Sequence, residues 1–240
     1  MSESAPLVAV VVPAYQAAST LPAVVAATRR ALPAARLIAV DDGSTDGSGE
    51  AARVSCDETV VFPTNRGKGA ALRAGIERAL AAGADRVVTI DADGQHDPAF
   101  APALVDALGD ADLAIGVRGR QGTRMPLGRR ATNALSARAM SACAGQTIAD
   151  AQSGFRAIRR AVLERVVGRG DRYEWETDFL LRAARSGYRV VGVPVSTVYG
   201  PASHFRPVRD AMLVIHSIWR HRDGAFGRAA LSRAGRLQAR

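Results

Sequence analysis

Apolar residues in the first half of the chain fall in short continuous runs, not in alternation. The runs at 7–12 (LVAVVV), 36–40 (RLIAV), 58–62 (ETVVF), 86–91 (RVVTID) and 111–116 (ADLAIG) read as strands. Continuous apolar strands of this length belong to parallel sheets whose two faces are both covered by helices. Helical periods separate them. A helix near 19–31 has Ser19 or Thr20 available as its cap, and the segment 67–83 sets Ala71, Leu72, Gly75, Ile76, Ala79 and Leu80 on one face. Strand and helix in alternation predict an α/β fold: a Rossmann-like, doubly wound, mostly parallel sheet with helices on both faces. Ligands of such sheets sit at the carboxyl ends of the strands.

The pattern changes after residue 116. Residues 117–130 (VRGRQGTRMPLGRR) hold Gly, Pro and Arg without a period and read as a loop. A helix is expected at about 130–143, a strand or turn at 153–159 (SGFRAIR), a helix at 174–187 ending on Gly187, and a strand at 188–196. From residue 207 a helical tail follows. In it Val208, Ala211, Met212, Ile215, Ile218 and Trp219 share one face, and Arg209, His216, Arg220 and Arg222 lie off it. The expected organisation is one domain over 1–204, with halves at 1–116 and 117–204, and an amphipathic basic helical tail at 205–240. That tail suits either an interfacial helix at lipid headgroups or ordinary core packing.

Charge narrows the partners. With 32 Lys and Arg against 23 Asp and Glu, the chain carries a net +9, which favours phosphates or an anionic membrane surface. Nucleic acid is not expected, because two Trp and four Tyr without aromatic interleaving among the arginines give no stacking platform. The two cysteines, Cys56 and Cys143, stand in no metal spacing and read as buried, reduced thiols of a cytoplasmic protein. The N-terminus has no basic region ahead of its apolar run, and no run reaches the roughly 18 residues of a membrane span. A cytoplasmic protein, peripheral at the inner face of a membrane, fits this.

Candidate chemistry gathers at the strand ends. VVTIDADGQHDP (87–98) places Asp91, Asp93, His96 and Asp97 within seven positions. Like charges repel, so such a cluster calls for a cation. Asp91, Asp93 and the amide of Gln95 offer the oxygen ligands that Mg²⁺ or Mn²⁺ takes, whereas zinc would favour His96. The other strand ends supply Pro13 and Tyr15, Asp41–Asp42, and PTNRGKG (63–69) with Lys68. An aromatic ring, a carboxylate acceptor and a cation suit the base and ribose of a nucleotide.

VVVPAYQAASTL, LIAVDDGSTDGS, NRGKGAALRAGI and TIDADGQHDP, taken in this order, resemble the successive motifs of the family 2 glycosyltransferases, which have the GT-A fold. GKGAALRAG, DADGQHDP and DAQSGFR resemble more closely the branch that transfers sugars to dolichyl and other polyprenyl phosphates. The resemblance spans roughly 7–200. It implies inverting transfer from a nucleotide-diphosphate sugar, a GDP- or UDP-sugar, to a polyprenyl phosphate. It gives Pro13, Tyr15, Asp42, Lys68, Asp91 and Asp93 to the donor, and Asp91, Asp93 and Gln95 to the metal. The family usually reads Pro-x-Tyr-Asn-Glu where this chain has Pro13-Ala14-Tyr15-Gln16-Ala17, so one nucleotide contact is missing.

For the acceptor, the resemblance points to Arg118, Arg129, Arg130 and Asn133 as phosphate-binding groups. SHFRPVRD (203–210) adds His204 and Arg206 beside a Pro-started helix. Asp150 falls near the reacting centre by resemblance, or caps the turn before Ser153-Gly154. Glu176 stands six residues before Arg182, where relatives with hydroxyl acceptors carry an acidic base. Two other functions compete with transfer to a polyprenyl phosphate: transfer to a soluble or glycan hydroxyl with Glu176 as base, and nucleotide-sugar binding without catalysis.

Overall fold

The structure is a computed structural model that describes residues 6–118 and 137–197. Seven strands form one sheet: β1 (Val8–Ala14), β2 (Arg36–Asp41), β3 (Glu58–Val61), β4 (Arg86–Thr89), β5 (Leu113–Arg118), β6 (Arg156–Arg159) and β7 (Val190–Val195). Their order is β3-β2-β1-β4-β6-β5-β7. The pairs β1–β2, β1–β4, β2–β3 and β5–β7 are parallel, and β6 runs antiparallel to both β4 and β5.

The helices are α1 (Leu21–Ala31), α2 (Ser48–Ser55), α3 (Lys68–Ala81), α4 (Ala101–Asp106), α5 (137–144), α6 (Arg160–Arg165) and α7 (Glu174–Arg185). They cover both faces. On β1, Ala9 and Val11 pack with Leu72 and Ile76 of α3, Met140 of α5 and Phe179 of α7. Val10 and Val12 point the other way, onto Leu21 and Val24 of α1 and Leu104 of α4. Alternate residues of one strand therefore enter two cores, which is why the strands read as unbroken apolar runs. Small residues let α3 approach: a Cβ on Gly75 would sit 2.3 Å from Val11 Cγ1.

The sequence expectations at 7–12, 36–40, 58–62, 86–91, 111–116 and 188–196 each correspond to an observed strand, with ends shifted by up to two residues. The segment 153–159 resolves as strand β6. Helices α2 and α6 were not expected. Cys56 and Cys143 are unpaired, as expected, but half-buried where full burial was expected. Most of the 117–130 loop, the start of the helix expected at 130–143 and the tail from 205 lie outside the described residues. No described helix is long and apolar enough to cross a membrane.

Candidate active site

The antiparallel β6 builds the site. Its register pairs Arg156 with Thr89, so continuing the ladder brings the residues before β6 to the carboxyl end of β4. The Thr89 hydroxyl donates to the Gly154 carbonyl at 2.8 Å, and a Cβ on Gly154 would meet Asp91 Oδ2 at 2.5 Å and Lys68 Nζ at 2.8 Å. Glycine is required there because the backbone lies directly on the carboxylate. Asp150 to Gly154 thus lie beside the ends of β4 and β5, with the DADGQ loop on one side.

Lys68 is the hub of that edge. Its Nζ lies 2.7 Å from Asp91 Oδ1 and 2.8 Å from Glu176 Oε2, with all three side chains largely shielded. Two glycines place it there. Gly67 (φ +101°) turns the chain into α3 where a Cβ would strike the Asp171 carbonyl at 2.4 Å, and a Cβ on Gly69 would lie 2.6 Å from Trp175 Cβ. The GKG sequence brings the first turns of α3 and α7 into backbone contact with the lysine between them. The two carboxylates hold the Lys68 ammonium protonated well above its usual range, although burial opposes this. The Asp91 carboxyl also resists burial: Lys68 holds it below the ordinary carboxylate range.

Asp93 is exposed, and Gln95 N–H donates to its Oδ1 at 2.9 Å. Loss of solvation within the cleft, and then the Asp91 charge, raise the Asp93 carboxyl above its ordinary value. His96 is buried beneath, tilted against Phe155, with Nδ1 lacking a partner. Burial lowers its pKa to about 4 against the pull of Asp91, so it is neutral at physiological pH. Among the described residues no three His, Cys, Asp or Glu side chains cluster as a cage. The donor set at Asp91, Asp93 and Gln95 is all oxygen; Asp91 is paired with Lys68, and Asp93 has no ion-pair partner of its own among the described residues. The set fits a hard divalent ion that takes its remaining ligands from phosphate and water.

Asp42 follows directly on β2. It is buried, and its two carboxylate oxygens accept from the Arg66 N–H at 2.6 Å and the Gly67 N–H at 2.8 Å. Burial raises its carboxyl, with those two N–H groups opposing. Asp42 therefore fixes the loop that carries Lys68. Pro13 lies buried near the end of β1, and Tyr15 follows it with 44% of its surface exposed, open to stacking. The structure also shows what stands in the divergent Gln16-Ala17 positions. The Gln16 amide exchanges hydrogen bonds with Thr45 at 3.1 and 3.0 Å, and Ala17 N–H donates to Ser48 Oγ at 2.7 Å. The lost carboxylate is replaced by a latch between the loops after β1 and β2.

Arg118 and Asp150 pair with each other. Arg118 ends β5, and its Nε and Nη2 donate to Asp150 Oδ2 and Oδ1 at 2.8 and 3.0 Å. The backbone N–H of Gln152 also donates to Oδ1, as in an Asx turn. Arg129, Arg130, Asn133, His204 and Arg206 lie outside the described residues. Arg156 was missed in the sequence. It is buried and donates to the carbonyls of Ser153 (2.8 Å), Ala151 (3.1 Å) and Glu176 (2.9 Å), tying the Asp150 loop to α7. An arginine inside an otherwise buried strand was its signal. Asp178, in the first half of α7, pairs with Arg182 at 2.5 Å.

A mostly parallel sheet broken by one antiparallel strand, with an Asp-x-Asp turn after β4 and a lysine-bearing loop after β3, defines the GT-A architecture of sugar transferases. Residues 9–167 match the model of glycosyl transferase family 2. The undecaprenyl-phosphate mannosyltransferase of Micrococcus luteus is 34% identical over 201 residues, covering 78% of this chain and 82% of that protein. The polyprenol monophosphomannose synthase of Mycolicibacterium smegmatis is 36% identical over 202 residues, covering 78% and 76%. Among solved structures, glucosyl-3-phosphoglycerate synthase from Mycobacterium tuberculosis, in complex with Mn²⁺, UDP and phosphoglyceric acid, is similar at a TM-score of 0.69 and 25% identity, over 90% of this chain and 78% of that one. The chain belongs to glycosyl transferase family 2.

Proposed function

We propose that this glycosyltransferase moves a sugar, with inversion, from a GDP- or UDP-sugar to a polyprenyl phosphate at a membrane surface. The names of the two relatives support the acceptor class, and the UDP and Mn²⁺ of the solved structure support the donor and the metal. On this reading residues 1–204 form the catalytic domain, working from the cytoplasmic face, and 205–240 a basic tail. Asp91, Asp93 and the Gln95 amide oxygen would hold Mg²⁺ or Mn²⁺, which neutralises the leaving diphosphate when bound. Tyr15 and Pro13 face the nucleotide, and Asp42 holds the Lys68 loop against it. Asp150 has both oxygens engaged by the Arg118 fork and the Gln152 N–H. So committed, it is a poor nucleophile for a glycosyl-enzyme intermediate and instead positions Arg118 for the acceptor phosphate. A single displacement by an acceptor oxygen, opposite the leaving diphosphate, inverts the anomeric carbon. Arg129, Asn133, His204 and Arg206 complete the acceptor side in this proposal.

The observation that carries the acceptor assignment is Glu176. Its carboxylate faces Lys68 at 2.8 Å, and Trp175, just before it, is packed against Gly69 of α3. A carboxylate held as the counter-ion of a buried ammonium is not a free base. A sugar hydroxyl needs a base, worth typically about 10²–10⁴-fold in rate, while a phosphate monoester arrives as an anion. The test is a pH–rate profile of wild type and Glu176→Gln with a short-chain polyprenyl phosphate. Retained transfer by the variant, flat above the second phosphate pKa, is expected. A base-dependent rise in wild type that disappears in the variant would move the acceptor to a hydroxyl.

A further inference from the structure

The turn after β1 holds a residue in a conformation that its side chain opposes. Among the described residues Gln16 is the one non-glycine with a left-handed backbone, φ +51°. A side chain there crowds its own backbone, so such a residue persists only where its surroundings over-determine it. The surroundings here are the loop after β2. Gln16 N–H donates to Ser44 Oγ at 2.9 Å, and the Gln16 side-chain amide donates to Thr45 Oγ1 and accepts from the Thr45 N–H. The next backbone N–H groups go the same way, Ala17 to Ser48 Oγ at 2.7 Å and Ala18 to Asp46 Oδ2 at 3.0 Å. Glycine would take this φ without strain, so the turn alone does not call for a glutamine.

What the latch holds is Tyr15. On its other side the Ala14 carbonyl accepts from the Asp42 N–H at 2.8 Å, and Ala14 is paired with Asp41 at the end of the β1–β2 ladder. The Tyr15 backbone is thus pinned one residue before and one residue after, both times to the end of β2, while its ring stays exposed. The loop after β2 is itself seated on the loop after β3. A Cβ on Gly43 would lie 2.5 Å from the Thr64 carbonyl carbon, and Asp42 binds the Arg66 and Gly67 N–H groups. An exposed aromatic ring on a fixed backbone is a surface for stacking a planar ligand, and binding there does not have to supply the ordering. We propose that Gln16 is a positioning residue for the donor: its amide, engaged on both sides by Thr45, holds the strained turn and so presents the Tyr15 ring to the nucleobase. This rests on the reading that Tyr15 faces the nucleotide. Without the amide the turn relaxes, and the nucleotide has to select the fraction of molecules that still carry the ring in place.

The test titrates UDP and GDP, each with Mn²⁺, by calorimetry into the full chain and into Gln16→Gly, Tyr15→Ala and the double variant. Glycine keeps the turn accessible and removes only the side-chain bonds, so the melting midpoint of Gln16→Gly should stay at the wild-type value. Losing the amide's hydrogen bonds leaves on the order of one molecule in ten latched, so Gln16→Gly should weaken the tighter-binding nucleotide about tenfold. The double variant decides how. If Gln16 acts through Tyr15, the two losses do not add, and Gln16→Gly costs nothing further once the ring is gone. Fully additive losses, or wild-type binding by Gln16→Gly beside weakened binding by Tyr15→Ala, would overturn the role of Gln16 and leave Tyr15 on the nucleobase. Unchanged binding by Tyr15→Ala, or binding of neither nucleotide by the wild type, would overturn the donor reading of Tyr15 and the proposal with it.

Discussion

Lys68→Met removes the cation that holds two carboxylates together. Asp91 Oδ1 and Glu176 Oε2 lie 2.7 and 2.8 Å from the ammonium, so they are at most about 5.5 Å apart. Two like charges at about 5 Å, in the effective dielectric of about 20 that suits such sites, repel by about 3 kcal/mol. Breaking a buried pair by deleting one partner typically costs about 3–5 kcal/mol, because the remaining charge is stranded. Here two charges are stranded, on elements held in place: the buried Arg156 guanidinium binds the Glu176 backbone carbonyl. The expected loss in urea-denaturation stability is therefore about 3–5 kcal/mol. Lys68→Met/Glu176→Gln removes the repulsion as well as the ion pair and should recover at least half of that loss. A single variant that loses less than about 1 kcal/mol, the value of an exposed pair, would refute the reasoning, as would a double variant no more stable than the single one.

Asp93→Ala should abolish transfer without lowering the melting midpoint, because Asp93 is exposed; full activity of that variant in the presence of chelator would remove the metal from the proposal. Gly154→Ala drives a methyl into Asp91 and Lys68, so transfer should fall at least tenfold, and wild-type kinetics would show that the backbone there has room to shift. Arg118→Lys cannot restore the two-pronged bond to Asp150, and a loss of about 1.5–3 kcal/mol in chemical denaturation is expected, the value of a hydrogen bond to a charged group. Gly75→Ala overpacks α3 against Val11 and should cost about 1–3 kcal/mol in the same assay while leaving donor binding unchanged. Burial, and then Asp57, push the Cys56 thiol up to about 11, so its alkylation by iodoacetamide should stay slow at neutral pH and accelerate only as the pH approaches that value.

The strands most legible in the sequence are those buried on both faces. Val10, Val11 and Val12 leave no polar position to confuse the period, because each enters one of two cores. Strand β6 was only half legible, as strand or turn: it is four residues long and opens and closes on arginine. Both arginines are spent on backbone carbonyls, Arg156 within the site and Arg159 on the carbonyls of Leu108, Gly109 and Ala111. A short strand that uses its polar ends as internal staples carries little periodic signal. Helix α2 was missed for a related reason. SGEAARVS starts from a glycine with φ +91° and buries little beyond Ser48, Gly49 and Ala52, so it has almost no apolar stripe.

The candidate site divides along the same line. Each of Lys68, Asp91, Glu176, Arg118 and Asp150 was visible as a residue type in a suitable place, but the pairs they form were not. Lys68 and Glu176 are more than 100 positions apart, and they meet because Gly67 and Gly69 admit the α7 backbone. Arg118 and Asp150 were assigned to separate tasks until β6, running against its neighbours, set the Asp150 turn at the end of β5. Residue chemistry names the ions; strand direction and the absence of a Cβ decide which ions touch. That is also why Gly154 went unread. A glycine carries no chemistry of its own, yet the atom it lacks leaves the room in which Lys68 reaches Asp91.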